Sequence, residues 1–362
     1  MLFTKNLTYE YIVLVKGGKM KKFISILTCF LLALSFGLVG VACGNQNSNK
    51  IRLVEVTHSI FYAPLYVAIN NGYFEEAGLE VDFTNAGGSD KGMNALLSGS
   101  ADIGLLGPEA AVYVVDGGAS NHPVVFGQLT KRDGSFILAK ENTTNFAWTD
   151  LIGQTIIGGR KGGMPAMTLQ YVIEKEAGLT IGTGADQVNL RTDVEFNLTA
   201  SVYDATPTVK YCTLFEPTAS DMQAQGKGYV VASVGMESGE VPYTAFMANK
   251  KYLENNPETA KKFLLAVTKG LAFLKSATVD QIADALAPSF TGFSRDNIVK
   301  SINSYIASDA WNESPVMTEA AYNRMLSIMD NAGELRDRTN VPFNKVVDNT
   351  IANQVLKELN AK

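Results

Sequence analysis

Hydrophobic positions follow two different periods where the body of the chain begins. Residues 51–56 form a β-branched run that predicts a buried strand, and residues 79–83 alternate as a second strand. Apolar side chains at helical spacing over residues 65–69 and 91–99 predict helices, and residues 101–107 predict a third strand. This order of elements needs crossover connections, so the pattern predicts an open, largely parallel sheet.

A second set of elements begins at residues 150–159, where a short strand leads into a helix predicted over residues 165–177. Two further strands, near residues 136–141 and 243–248, are each followed by a charged turn, and we predict that they form a paired hinge between two lobes. From Pro257 on, the spacing is mainly helical. The predicted fold class is α/β, with two open, mostly parallel sheets joined by a two-strand hinge and a helical C-terminal portion.

The start of the chain has the organisation of a secretory signal. Residues 23–42 are almost wholly apolar, Lys21 and Lys22 precede them, and the run stops at Gly-Val-Ala-Cys. This ending resembles the lipobox of bacterial lipoproteins, which implies that Cys43 carries acyl chains and ties the protein to a membrane. Gly40 departs from the leucine that is commonest at its lipobox position. A plain signal anchor is the alternative.

These observations divide the chain into predicted parts. Residues 15–20 can be back-translated into a ribosome-binding sequence before a start codon, so we expect translation to begin at Met20. The parts are a signal peptide over 1–42, a lipidated cysteine and polar tether over 43–50, lobe one over 51–138 plus 243–362, and lobe two over 139–242. The expected location is the extracytoplasmic face of a cell membrane, and the anchor is typical of a Gram-positive bacterium.

Composition narrows the classes of function. The 362 residues are 46% hydrophobic, which is enough for a substantial core. Without residues 1–42 the chain carries 26 basic and 35 acidic residues and no basic patch, so we expect no nucleic-acid partner. Cys212 is the remaining cysteine after Cys43, and we predict that it is buried and reduced. With His58 and His122 as the two histidines, we expect neither a metal nor a cofactor.

Four stretches together carry a resemblance to a known family. They are FYAPLYVAINNGYFEEAGLEVDF, GGSDKGMNALLSGSADIGLLGPEAA, DLIGQTIIGGRKGGMPAMTLQYV and LFEPTAS. Over residues 51–270 the chain is similar to the solute-binding proteins of ABC importers for nitrate, sulfonates, taurine and thiamine-pyrimidine precursors. The resemblance implies a monomer with the two-lobed, type II periplasmic-binding-protein fold. Such a protein closes on a small molecule and delivers it to permease and ATPase subunits.

The candidate ligand-binding residues lie in loops that follow the predicted strands. In open α/β sheets a ligand binds beyond the carboxyl ends of the strands, where helix N-termini and glycines bring backbone N–H groups close to it. From lobe one we expect His58, Ser59, Phe61, Tyr62, Gly88, Ser89, Gly107 and Glu109 to contact the ligand. From lobe two we expect Arg160, Gly162, Gly163, Met164, Tyr203, Glu216 and Thr218.

The residue types favour one ligand class and leave others open. Tyr62, Tyr203, Glu109 and Glu216 offer aromatic faces and carboxylates, which favour a heterocycle such as a thiamine-type pyrimidine. Arg160 favours sulfonate, taurine or nitrate instead. A ligand-sensing lipoprotein without transport is a further alternative. We expect no enzyme, because the GxSxG, HExxH and P-loop motifs are absent, as is the CCCFC motif of the fungal thiamine-pyrimidine synthases.

Overall fold

The computed structural model describes residues 49–143 and 145–360. The predicted signal peptide, Cys43 and the tether up to residue 48 lie outside the described residues. The first strand begins at Lys50, so the last residue assigned to the tether already belongs to a sheet. No helix within the described ranges is both long enough and apolar enough to span a bilayer.

The strands form two sheets, one in each lobe. In chain order they are β1 (Lys50–Glu55), β2 (Glu80–Asn85), β3 (Ile103–Leu106), β4 (Pro123–Thr130), β5 (Ser135–Ala139), β6 (Thr155–Ile157), β7 (Asn189–Arg191), β8 (Tyr211–Phe215), β9 (Tyr229–Ser233) and β10 (Thr244–Asn249). The sheet of lobe one has the order β2-β1-β3-β10-β4, and the sheet of lobe two has the order β7-β6-β8-β5-β9.

Each sheet has one strand that runs against the other four. In lobe one, β1 pairs in parallel with β2 and β3, and β10 is antiparallel to β3 and β4. In lobe two, β6 pairs in parallel with β7 and β8, and β5 is antiparallel to β8 and β9. The predicted α/β fold with mostly parallel sheets is confirmed. The carboxyl ends of the parallel strands meet at one edge of each sheet.

The prediction that two paired strands cross between the lobes is wrong. Strand β5 pairs only within the sheet of lobe two, and β10 pairs only within the sheet of lobe one. Strands β5 and β10 are the strands that run antiparallel to their neighbours. Each is the first strand that the chain forms after it passes from one lobe to the other. The connections between the sheets are therefore the short segments 131–134 and 239–243. The lobe boundaries near residues 138 and 243 stay a proposal.

The helices cover the sheets and fill the C-terminal third. They are α1 (Ala63–Asn70), α2 (Tyr73–Glu76), α3 (Ser89–Ser98), α4 (Glu109–Asp116), α5 (Met164–Tyr171), α6 (Thr199–Ala205), α7 (Thr218–Ala224), α8 (Val234–Ser238), α9 (Lys250–Asn255), α10 (Pro257–Ser276), α11 (Val279–Leu286), α12 (Arg295–Ala307), α13 (Glu319–Asn331), α14 (Phe343–Val346) and α15 (Thr350–Asn360). Short 3-10 turns lie at Ile60–Tyr62, Trp148–Leu151, Phe196–Leu198, Ala287–Ser289 and Arg338–Asn340, and a π turn, Val172–Glu176, extends α5.

The C-terminal helices contact both lobes. Helix α12 starts at the N-cap Ser294, whose side chain accepts from the third backbone N–H of the helix, and then packs against α7 of lobe two. Near the other end of α12, Tyr305 donates a hydrogen bond to the carbonyl oxygen of Gly134 and accepts one from the backbone N–H of Glu216. The predicted assignment of residues 243–362 to lobe one alone omits these contacts.

Candidate functional site

The loops at the carboxyl ends of both sheets surround a cleft between the lobes. One cavity in this cleft, which we call cavity one, has an empty volume of about 540 Å³, including solvent at its mouth. Its lining residues are Val56, Tyr62, Gly88, Ser89, Gly107, Glu109, Arg160, Gly163, Met164, Pro165, Phe196, Phe215, Tyr243 and Thr244. Without the solvent at its mouth the cavity volume is only about 50 Å³, so the lobes would have to move apart before a small organic molecule could enter this partly apolar site.

Glu109 is the most unusual side chain of cavity one. It is the first residue of α4, it is 3% exposed, and its Oε2 atom has no hydrogen-bond partner among the described residues. Burial raises the pKa of its carboxyl to about 7, against the opposing effects of the Met164 backbone N–H and the Arg160 charge. A buried oxygen without a partner is costly, so this carboxyl is arranged to receive a hydrogen-bond donor from outside the protein.

Gly107 keeps the carboxyl of Glu109 in this position. A Cβ atom at residue 107 would lie 2.0 Å from Oε2 of Glu109, so any other side chain there would displace this carboxyl. The backbone N–H of Gly107 donates to the Oγ atom of Ser89, 3.2 Å away. The loops after β2 and β3 are thus joined directly beside the carboxyl.

Contacts between the lobes close the cleft beside cavity one. The guanidinium of Arg160 lies 3.1 Å from Oδ1 of Asp90, so the one arginine of the cavity lining already has an acidic partner in lobe one. The hydroxyl of Tyr113 donates to the carbonyl oxygen of Gly162 over 2.8 Å. Both contacts join lobe one to the loop after β6.

The hinge side of cavity one holds two further buried polar atoms. Tyr243 is 3% exposed, and the nearest polar group to its hydroxyl is the buried carboxyl of Asp133. Asp133 lies in the first segment that connects the lobes, and its Oδ1 atom accepts from the backbone N–H and the hydroxyl of Ser135 at 2.7 and 2.6 Å. Burial and then the Asp133 carboxylate raise the pKa of Tyr243 well above its ordinary value. Burial also raises the pKa of Asp133 to about 7.

The raised pKa of Asp133 predicts a pH-dependent stability. An acid with a higher pKa in the folded state binds its proton more tightly there, so its contribution to stability is lost as the pH rises from the unfolded pKa to the folded pKa and then levels off. Between pH 6 and 8 we expect the unfolding free energy to fall by roughly 1.4 kcal/mol relative to that of Asp133→Asn. Urea denaturation of both proteins at the two pH values measures this difference. A difference that stays constant with pH would contradict the assignment.

A second cavity, cavity two, adjoins the first and has a volume of about 160 Å³ without the solvent at its mouth. Its lining residues are Thr57, His58, Ser59, Gly158, Gly159, Pro165, Phe196, Asn197, Thr199, Ala200, Thr213, Leu214, Phe215, Glu216 and Thr218. Both cavities are lined by Pro165, Phe196 and Phe215, so these three side chains form the wall between the cavities.

The structure brings most of the predicted contact residues to the cleft. Those at cavity one are Tyr62, Gly88, Ser89, Gly107, Glu109, Arg160, Gly163 and Met164, and those at cavity two are His58, Ser59, Glu216 and Thr218. Gly162 lies beside them, in a pocket that also includes Arg160 and Glu109. Contact with a ligand remains a proposal for each of them.

Phe61 and Tyr203 line neither cavity, which corrects their predicted place. Phe61 is fully buried, and its ring packs against those of Phe215 and Tyr305. The Tyr203 ring is also buried, with the ammonium of Lys140 3.9 Å from its centre. Phe61 lies in a 3-10 turn from which the next residue, Tyr62, lines cavity one. Tyr203 lies in α6, from which Thr199 and Ala200 line cavity two instead.

The sequence reasoning missed several lining residues. Phe215 is the last residue of β8, directly before the predicted Glu216, so its place at a strand end was available as a signal. Tyr243 and Thr244 reach cavity one because the chain returns to lobe one there, which a pattern of parallel strand ends does not indicate. Phe196 lies in a short 3-10 turn without a recognisable motif. No group of three or more metal-binding side chains occurs in the described part of the chain.

Two lobes with open α/β sheets and a cleft at their strand ends define the periplasmic-binding-protein fold. Residues 60–277 match the family described as NMT1/THI5 like, and the chain belongs to this family. The resemblance that the motifs indicated is thereby confirmed.

Known proteins that resemble this chain are consistent with the family. A protein of Bacillus subtilis (strain 168), named as a candidate binding protein, YtlA, is 40% identical over 336 residues, 90% of this chain and 98% of its own length. The periplasmic aliphatic sulphonate binding protein SsuA of Escherichia coli has a TM-score of 0.63 at 18% identity, covering 83% of this chain and 97% of SsuA. The periplasmic nitrate-binding protein NrtA of Synechocystis PCC 6803 has a TM-score of 0.66 at 16% identity, covering 87% of this chain and 90% of NrtA. At these identities the two structures share the fold with this chain.

Proposed function

We propose that this chain is the extracytoplasmic solute-binding component of an ABC importer, held to the membrane through Cys43. It captures a small heterocycle, with a thiamine-type pyrimidine as the preferred class, in cavity one, and it delivers this ligand to a permease. The family and the YtlA relative support a binding role. Lipid anchoring and the importer partners rest on the lipobox-like sequence and on the family resemblance.

The observation that carries the ligand class is the buried Oε2 atom of Glu109, which has no hydrogen-bond partner among the described residues. A protonated ring nitrogen or an exocyclic amino group would supply the missing donor and would favour the ionised carboxylate. The rings of Tyr62, Phe196 and Phe215 line the same cavity and offer faces on which a flat heterocycle can pack. Aromatic walls with one buried carboxyl match an aminopyrimidine better than a small inorganic anion.

Arg160 supports the alternative, a sulfonate or nitrate ligand, but two observations weaken that support. Its guanidinium is already paired with Asp90. The carboxyl of Glu109 would also repel an anion whenever it is ionised. We therefore place anions second.

Binding rather than catalysis fits the chemistry of the cleft. Among the described residues the one cysteine is Cys212, which is buried in β8. Burial raises the pKa of its thiol well above its ordinary value, so the thiol stays protonated at neutral pH. It also lines neither cavity. A cysteine in this state is a packing residue and not a nucleophile.

Closure of the lobes is the proposed mechanism. A ligand in cavity one would contact the loops after β1, β2 and β3 of lobe one and the loop after β6 of lobe two. Because it gains contacts to both lobes only in the closed state, it shifts the equilibrium toward that state. The segments 131–134 and 239–243 are where the backbone would bend.

A thermal-shift screen tests the proposal. The chain from Gly44 on, refolded to remove bound ligand, is heated with aminopyrimidines, thiamine, taurine, alkanesulfonates and nitrate. A ligand at 100 times its Kd adds about 2.7 kcal/mol, which raises the melting temperature by a few degrees. We expect this shift with an aminopyrimidine. A shift with sulfonates or nitrate alone would contradict the ligand class, and no shift with any compound would contradict the proposed function.

A further inference from the structure

Cavity two is the feature that a small ring in cavity one leaves unexplained. The wall between the cavities is narrow, because Pro165, Phe196 and Phe215 face both of them. The rings of Phe196 and Phe215 meet edge to face with centroids 5.2 Å apart, and Phe196 is only half-buried. A ligand that reaches past this aromatic pair would occupy both cavities.

The lining of cavity two is rich in hydroxyl groups. Threonine side chains from the loop after β1, from the middle of β8 and from the start of α6 and α7 line it, and the amide of Asn197 adds a donor and an acceptor. The hydroxyls of Thr57 and Thr218 form no hydrogen bond with another described residue. They are free to bond with a polar group that enters the cavity.

The charged groups of cavity two are already engaged. Glu216 accepts from the backbone N–H and the hydroxyl of Ser220 and from the hydroxyl of Ser304, at 2.8 to 3.0 Å. The Nε2 atom of His58 lies 2.7 Å from the carbonyl oxygen of Ser289, and its Nδ1 atom lies 3.2 Å from the carboxylate of Glu55. Among the described lining residues, no cationic group is left to pair with a phosphate or sulfonate.

We propose that the ligand has two parts, a flat heterocycle in cavity one and a neutral, hydroxyl-bearing arm that crosses the aromatic wall into cavity two. This inference rests on the proposed function and specifies its ligand. The class it defines includes ring systems that carry a sugar or a polyol, such as nucleosides and ribityl heterocycles. An anionic arm is disfavoured because the described lining residues offer it no free cation.

Matched compound pairs test the arm. Isothermal titration compares cytosine with cytidine, adenine with adenosine, and lumichrome with riboflavin, on the refolded chain. In at least one pair we expect the compound with the arm to bind tenfold or more tightly than the bare ring. The 5′-phosphates of the three armed compounds should bind more weakly than their neutral forms.

Variants assign the gain in affinity to cavity two. The double variant Thr57→Val, Thr218→Val keeps the side-chain volume and removes the two free hydroxyls, so we expect it to fold normally. It should lose most of the gain from the arm and bind the bare ring within about twofold of the unchanged chain. Thr180→Val, at an exposed position away from both cavities, is the control and should change neither affinity.

The inference and the proposed function fail in different ways. Equal affinities within every pair, a preference for the phosphorylated arms, or no binding by any of these compounds would overturn the two-part ligand. A thermal shift with a simple aminopyrimidine would then still support the proposed function. If the double variant weakens ring and armed compound alike, the arm does not use these hydroxyls and the assignment to cavity two is overturned.

Discussion

Replacing Glu109 with alanine is expected to weaken binding of the screened ligand at least 100-fold. The buried carboxyl supplies the acceptor for a ligand donor, and without it that donor would be enclosed without a partner. Lost charge-assisted hydrogen bonds and an unpaired buried donor together cost about 3 kcal/mol, which corresponds to more than a hundredfold in Kd. Isothermal titration of the ligand against both proteins measures the ratio.

Stability separates a binding role of Glu109 from a structural one. Glu109→Gln keeps the shape of the side chain and removes the charge that burial disfavours. At pH 8 we therefore expect this variant to melt at a higher temperature than the unchanged chain while it binds the ligand more weakly. A lower melting temperature together with unchanged affinity would show that Glu109 supports the fold and not the ligand.

Gly270→Ala is expected to destabilise the protein by about 3 kcal/mol. Gly270 lies in α10 where this helix crosses α1, and a Cβ atom there would lie 2.0 Å from the carbonyl oxygen of Pro64. It would also lie 3.3 Å from the backbone nitrogen of Ala68. Both contacts are with backbone, so the two helices must separate, and overpacking of this kind costs about 1–3 kcal/mol or more. Urea denaturation measures the change.

A loss of stability in Gly270→Ala is informative, because helix propensity alone predicts that this substitution stabilises the protein. Alanine in place of glycine inside an exposed helix adds about 1 kcal/mol of stability. Gly292→Ala, in the exposed turn before α12, is the control for an added methyl group, since a Cβ atom at that position meets nothing within 4 Å. We expect its stability to stay within about 0.5 kcal/mol of the unchanged chain. If Gly270→Ala were as stable as this control, the close contact of α10 with α1 would be refuted.

The sequence predicted the cleft well where parallel strands determine it. Gly88, Gly107, Glu109 and Met164 follow strands whose carboxyl ends converge, so their order in the chain was enough to place them together. The rule that ligand-binding loops follow the carboxyl ends of strands fails for Tyr243. Strand β10 is antiparallel to β3, so the residue at the cleft is the one before the strand begins. Parallel strand ends can be identified from a pattern, whereas the direction in which the chain returns cannot.

The sequence also could not predict which way a side chain points from a short turn. Phe61 and Tyr62 are neighbours in one 3-10 turn, yet Tyr62 lines cavity one and Phe61 packs in the core. Both are aromatic, so residue type could not distinguish them. The predicted hinge strands failed for a related reason. Alternating apolar residues indicate a strand, but they do not indicate which sheet that strand joins.

Hydrogen–deuterium exchange, with and without the ligand found by the thermal-shift screen, tests the central claim most directly. If the ligand occupies the cleft, protection should appear in the loops at residues 87–89, 107–109 and 160–164, on both lobes at once. Protection confined to one lobe, or centred on the groove that residues 122–126 form with residues 342–354, would contradict a ligand held between the lobes.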